Sequence, residues 1–171
     1  MKNFDTIKAN LKLNNSGLFL GEVPMVLIPR WFFRDILEKT IDNAGLNLAK
    51  KIYQEAGYQG AYDWCNAQMK AGYNGHKAME QYLESMSCRG WGEFYIEKYN
   101  PEKGSGVFHY KMFKPSDAPP IENLCLWVAG AMTGGVQAVL DQLGIRLKAT
   151  GKELSCTNHG KESCKISVVS I

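Results

Sequence analysis

The sequence predicts an α/β chain of the mixed (α+β) kind, with a small antiparallel sheet packed against several helices, one long central helix and a C-terminal strand pair. Three observations predict it. From Trp31 to Met86 apolar residues recur three and four apart, the period of a helix. The period changes to two at Glu93 and again at Val107, on either side of a loop containing Pro101, Gly104 and Gly106. The most apolar segment, Asn123 to Leu143, is too long for a strand and reads as a helix that is apolar all round in its first half.

Each element follows from its residues. Ile7 to Leu13 alternates apolar and polar, Asn14-Asn15-Ser16-Gly17 supplies turn chemistry, and Leu18-Phe19-Leu20 returns as a second short strand. The proline-bracketed run Pro24 to Pro29 then enters a helix with Trp31, Ile36, Leu37 and Ile41 as its buried stripe. Gly45 ends that helix. A second runs from about Leu46 to Ala71 with Leu48, Ile52, Ala56 and Gly60 on one face. Gly57 and Gly60 inside it cost about 1 kcal/mol each relative to Ala, which close approach of another helix or a ligand would offset. Asn74 suits the N-cap of a third helix buried through Ala78, Met79, Tyr82, Leu83 and Met86.

Gly90-Trp91-Gly92 leads into a strand over Glu93 to Tyr99, Asn100 to Gly106 forms a loop, and Val107 to Phe113 is the returning strand. Pro115 to Pro120 connects to the central helix, which Gly144 closes. Gly130 and Gly134, four apart on that helix, predict tight helix packing or a dimer face. Ile145 to Leu147, a stretch ending near Cys156, and Ser163 to Val169 read as strands, with Ile166 to Val169 a buried edge. The expected division is N-terminal strands over 1–28, a helical part over 29–88, and the sheet, central helix and cysteine motif over 89–171, all in one domain of 1–171.

Composition narrows the function classes. With 45% hydrophobic and 22% charged residues the 171-residue chain is neither disordered, collagen-like nor a coiled coil. A net charge of +3 is too small to argue for nucleic acid or an anionic membrane as partner. The N-terminus has no apolar core or cleavage site of a signal peptide. The longest apolar stretch, Val23 to Phe33, is interrupted by Pro24, Pro29 and Arg30, so no membrane span is expected. Five cysteines, an odd number at irregular spacing, favour a reducing cytoplasm.

No dinucleotide fingerprint, P-loop, nucleophile elbow or His-Glu-x-x-His motif is present, so no catalytic residue is assigned. Cys65 and Cys88 could be reactive thiols, but no Cys-x-x-Cys pair supports redox cycling. Arg89, Arg30 and Lys50-Lys51 read most simply as solvated charges.

The sharpest local feature runs from Glu153 to Cys164. Cys156 and Cys164 flank a Gly-containing turn, as cysteines on neighbouring antiparallel strands would, with Glu153 three residues ahead. Thiolate and carboxylate are both competent zinc ligands, and tetrahedral closure needs one more, for which Cys125 and His159 compete. Cys-x7-Cys is not a standard zinc spacing and reduced buried cysteines are common, so core thiols and metal ligands both remain open on spacing alone.

The run from Cys125 (Cys-x4-Gly-x3-Gly, a long helix, then Glu-x2-Cys-x3-Gly-x3-Cys) resembles the 4-vinyl-reductase domain, a small-molecule-binding module. That module also forms the sensor of phenol- and xylene-responsive transcription activators. Pro24 to Arg30, Ala56-Gly57-Tyr58 and Arg89-Gly90-Trp91-Gly92 agree with it. The resemblance implies a structural zinc held by Cys125, Glu153, Cys156 and Cys164. The stretch between Cys125 and Glu153 is longer than in the sensor pattern, implying either a longer helix and loop or a displaced Cys125.

It also implies a hydrophobic or aromatic ligand between helices and sheet, for which the candidates are Trp64, Trp91, Trp127, Tyr53, Tyr58, Phe94, Phe108, His109 and Tyr110. Any one of these is more simply a core residue. The chain lacks the ATPase and DNA-binding segments of such activators, so a stand-alone sensor or carrier, signalling through a homodimer or a protein partner, is the expectation. The alternatives are an enzyme or enzyme accessory, in tetrapyrrole vinyl reduction or a catabolic pathway, and an adaptor resembling vesicle-tethering subunits.

Overall fold

A computed structural model describes residues 11–15, 17–21, 23–112, 123–156 and 162–171. Three short strands come first: β1 (Leu11–Asn14), β2 (Gly17–Leu20) and β3 (Val23–Met25). They form an antiparallel sheet in which Leu13 faces Leu18 across the hairpin and Leu18 in turn faces Met25. Residues 7 to 10 of the expected first strand lie outside the described residues.

Helix α1 (Arg30–Lys70) is two helical segments that meet at a kink at Gly45, where the sequence divides them. Gly45 does interrupt it, with φ 76° and ψ 156°, a left-handed backbone that glycine adopts without a Cβ clash. The first segment ends there, as read, and the second begins at once. Helix α2 (His76–Cys88) follows, with Gly75 rather than Asn74 at its N-cap; the Asn74 side chain instead accepts a hydrogen bond from Gln142 at 2.6 Å. Its expected apolar face, Ala78, Met79, Tyr82, Leu83 and Met86, is buried.

The second sheet contains β4 (Gly92–Asn100), β5 (Ser105–Met112), β6 (Ala149–Ser155) and β7 (Cys164–Ser170), all antiparallel in the order β4-β5-β7-β6. The C-terminal strand is therefore an interior strand, not the expected edge, because β6 pairs along its outer side. Residues 144–148 make no strand. Lys148 and Ile171 instead exchange backbone hydrogen bonds where the two ends of the strand pair meet. Phe108, Tyr110, Cys164, Ile166 and Val168 face inward and are almost fully buried, as alternation along paired strands requires.

A 3-10 turn (Leu124–Trp127) opens into α3 (Val128–Gln142), which lies between the second sheet and α1. The glycines of α3 make this possible. A Cβ on Gly130 would strike the carbonyl oxygen of Gln54, one on Gly134 the carbonyl of Tyr58, and one on Gly57 the carbonyl of Trp127. The two helices therefore touch backbone to backbone, and the Gly130/Gly134 face is spent inside the chain, not on a dimer. On its other side α3 packs Thr133 and Ala129 against Gly151 of β6.

That close contact also decides which face of α1 is buried. Ala49 and Ala61 are fully covered, whereas Leu48 is 50% and Ile52 43% exposed. Of the face expected to be buried, Leu48 and Ile52 point out because α3 approaches where side chains are smallest, while Ala56 and Gly60 border a cavity. In the first half of α1, Leu37 is buried and Phe33 and Ile41 pack on the core, while Trp31 and Ile36 are exposed.

The outward face of the second sheet carries a small polar network. Glu97, at a bulge in β4, binds His109 of β5 at 2.7 Å and Lys165 of β7 at 2.8 Å, while Tyr95 stacks on the His109 ring at 4.4 Å. Lys165 and His109, as hydrogen-bond donors to the charged carboxylate, hold the Glu97 pKa down at about 2 from an ordinary 4.5. A carboxylate so depressed stabilises the fold fully above its ordinary value and loses that contribution as pH falls through the folded one.

Two predictions follow from this packing and this network. Gly134→Ala should lower stability by roughly 1–3 kcal/mol or more in denaturant unfolding, because the added methyl meets backbone, which has no rotamer to give. Wild type should lose an increment of stability between about pH 5 and about pH 2 that Glu97→Gln does not lose, measured by unfolding at stepped pH; parallel curves would contradict the network.

Candidate functional site

Three cysteines distant in sequence converge at one end of α3. Cys125 comes from the 3-10 turn, which Asn123 enters with φ 58°, a left-handed conformation that asparagine tolerates better than most residues. Cys156 directly follows β6, and Cys164 begins β7 opposite Tyr110. Ser155 donates a hydrogen bond to the Ser163 carbonyl at 3.3 Å, holding the two strand ends side by side. All three cysteines are buried and none is in a disulfide.

Their sulfurs form a compact triangle. Sγ of Cys156 is 2.9 Å from that of Cys125 and 3.5 Å from that of Cys164, and all three lie within 4.8 Å of one another. Tetrahedral zinc, with Zn–S bonds of about 2.3 Å, needs sulfurs about 3.8 Å apart, so the triangle is of the size a metal site requires, its closest pair having to open by about 1 Å. Hydrogen bonding to Cys164, burial and hydrogen bonding to Cys156 together push the Cys125 thiol far above its ordinary range. Thiols packed this closely ionise together only around a cation. Cys125 is not displaced; the longer stretch before Glu153 is taken up by α3 and residues 143–148.

Glu153 is not among the atoms of this triangle. It is half-buried on β6, paired with Ile166 and on the same inward face as Gly151. His159, the competing ligand, lies outside the described residues.

Beside the triangle is a cavity of about 300 Å³. Its walls are Phe33, Tyr53, Gly57 and Trp64 of α1, Tyr82 and Met86 of α2, Arg89 and Trp91 from the link into β4, and Trp127 of the 3-10 turn. The rings touch in sequence: Phe33 meets Trp91 edge-on at 5.0 Å, and Trp91 meets Trp127 at 5.4 Å. Tyr110 donates a hydrogen bond to the Trp91 carbonyl at 2.9 Å and so fixes the link. A second hollow of about 340 Å³ lies toward the N-terminal sheet and shares Phe33, Arg89 and Trp91 with the first.

Of the expected pocket residues, Tyr53, Trp64, Trp91 and Trp127 line this cavity. Phe94, Tyr110 and Phe108 stand behind it: the first two pack on Trp127, and Phe108 is fully buried on the sheet. Two candidates point elsewhere. Tyr58 stacks on Tyr62 at a separate groove with Gly130 and Gly151. His109 is on the outer face of the sheet, because its neighbours Phe108 and Tyr110 take the inward positions.

Arg89 is the residue that sequence reading placed wrongly. It is no solvated charge: its guanidinium lies 4.4 Å over the Trp64 ring, donates to the Ser85 carbonyl at 3.2 Å, and contacts the Met86 sulfur at 2.6 Å.

The comparisons with known proteins bear on family and fold. Residues 6–97 match the family described as a domain of unknown function (DUF5943). The chain belongs to that family. The matched stretch holds Trp64, Arg89 and Trp91 and stops short of Cys125, Cys156 and Cys164. No curated protein matches the sequence.

Among solved structures, the phenol-responsive sensory domain of the transcription activator PoxR, with phenol, has a similar fold: TM-score 0.72 at 18% identity, covering 98% of this chain and 88% of that one. A vinyl-4-reductase family protein from Methanocaldococcus jannaschii aligns at TM-score 0.50 and 15% identity, covering 86% of this chain and 84% of its own. The fold implied by the cysteine motif is therefore the fold observed. Trafficking protein particle complex subunit 3 from Naegleria fowleri, covalently bound to palmitic acid, reaches TM-score 0.49 at 9% identity over 82% of this chain and 93% of its own, too distant to bear on the fold. Among the described residues, no helix is long and apolar enough to cross a membrane.

Cys65, the other fully buried cysteine, contacts the Met79 sulfur at 4.0 Å, and burial pushes its pKa up to about 12. A thiol held there stays protonated and inert. Iodoacetamide at neutral pH should leave Cys65 unmodified in the native protein and alkylate it only on unfolding, as read by peptide mass spectrometry. Rapid native labelling would contradict the packing.

Proposed function

We propose that residues 1–171 form one ligand-binding domain that takes a small hydrophobic or aromatic molecule in the tryptophan-lined cavity, beside a structural zinc. The observation that carries this reading is the 3-10 turn, where Cys125 and Trp127 stand two residues apart. One belongs to the sulfur triangle and the other to the cavity wall. Whatever fixes the cysteine fixes the wall. The likeness in fold to a phenol-responsive sensory domain supports an aromatic ligand.

Zinc suits three thiolates and one further ligand, and Glu153 is the fourth. Its inward face of β6, two pairing positions from Cys164, brings it to the same side of the sheet as the triangle. Four protein ligands leave no place for water or substrate, so the metal cross-links the strand pair to the helix and performs no chemistry. The domain accordingly senses or carries its ligand. Any homodimer or protein partner that relays occupancy would use a surface other than the glycines of α3; Trp31, Ile36, Leu48 and Ile52 leave apolar area exposed on α1.

Elemental analysis with native mass spectrometry tests this directly, reporting metal content, oligomer and co-purified ligand together. About one zinc per chain is expected. Cys164→Ser should lower both zinc content and melting temperature. Full zinc and unchanged melting in that variant would count against the site.

A further inference from the structure

The cavity has walls of aromatic rings and one full charge. Arg89 is half-buried, and two of its five N–H groups are occupied by its own helix, at the Ser85 carbonyl and the Met86 sulfur. Among the described residues no carboxylate pairs with it, and neither hollow that it borders contains an Asp or Glu. Besides Arg89, the polar side-chain atoms of the wall belong to Tyr53, Tyr82 and the tryptophans. The indole N–H groups of Trp64 and Trp127 are buried with no acceptor among the described residues. The lining thus holds one cation, neutral hydroxyl and indole groups, and no anion.

A guanidinium removed from water without a counter-ion is costly, and burial does lower the Arg89 pKa from its ordinary value, although arginine stays protonated. Stacking on Trp64 supplies part of the compensation. The rest is available to a ligand. The N–H groups that remain include both on Nη1, so the free part of the fork matches the spacing of two carboxylate oxygens.

We infer that the cavity selects a small aromatic acid, with Arg89 as counter-ion to its carboxylate and Trp64, Trp91 and Trp127 around its ring. This rests on the aromatic-ligand reading above and narrows it to an anionic class. A neutral phenol would fill the same volume but leave the guanidinium unpaired. Arg89 sits where the two hollows meet, so the charged end of the ligand faces the N-terminal sheet and its ring faces the metal-tied turn.

Titration of the intact protein with benzoate, benzamide and phenol, followed by fluorescence of the cavity tryptophans, tests the inference. Benzoate should bind wild type at least about tenfold more tightly than its neutral isostere benzamide. Arg89→Gln should remove that preference, and Arg89→Lys should keep part of it. Equal binding of benzoate and benzamide by wild type would overturn the counter-ion role and leave the aromatic cavity standing. Binding of phenol in preference to benzoate would do the same. Failure of all three to bind would overturn the aromatic-ligand reading itself. The wild-type comparison decides the matter even if Arg89→Gln does not fold.

Discussion

The structure depends on one contact, the meeting of α1 and α3 at backbone distance. Gly130 and Gly134 lie against the carbonyls of Gln54 and Tyr58, and Gly57 lies against that of Trp127. No side chain separates the helices there, so their relative height is fixed by hard backbone atoms and not by compressible rotamers. The height of α3 in turn sets where the preceding 3-10 turn ends. That turn presents Cys125 to the strand pair and Trp127 to the cavity. A contact built from the absence of side chains thus positions both functional features.

The sulfur triangle and the cavity are two ends of one mechanical element. Cys156 and Cys164 hold β6 and β7 by their ends, Cys125 holds the turn, and the turn holds Trp127. The opposite wall comes from the link between α2 and β4, where Tyr110 secures the Trp91 backbone and Trp64 secures Arg89. The cavity is therefore framed by elements from across the chain, each tied by a specific contact. Such a frame is preorganised, which lowers the ordering cost of binding.

The parts of this arrangement legible in the sequence are those with a strong local signal. The strands around Phe94 and Phe108 and the close packing at Gly130 and Gly134 describe themselves, and the structure places them as read; most of the all-apolar run read as the start of the helix is the 3-10 turn that opens into α3. The cysteines were legible through the pattern of the whole motif, since Cys156 and Cys164 alone have an ambiguous spacing. The buried face of α1 was not legible. Hydrophobicity points to Leu48 and Ile52, but backbone contact with α3 demands small residues, so Ala49, Gly57 and Ala61 turn inward and the larger side chains turn out. Arg89 was missed for a related reason: its role depends on Trp64, twenty-five positions earlier, which no local pattern connects to it. The one available hint was Ser85 and Met86 at the preceding helical positions, where a solvated arginine often has an acidic partner.

X-ray absorption at the metal edge of the purified protein tests the central claim most directly, because it counts the atoms bound to the ion. The account predicts zinc with three sulfur neighbours at about 2.3 Å and one oxygen at about 2.0–2.2 Å, the signature of Cys125, Cys156, Cys164 and a carboxylate. A shell of light atoms without sulfur, or a protein free of tightly held metal, would contradict it.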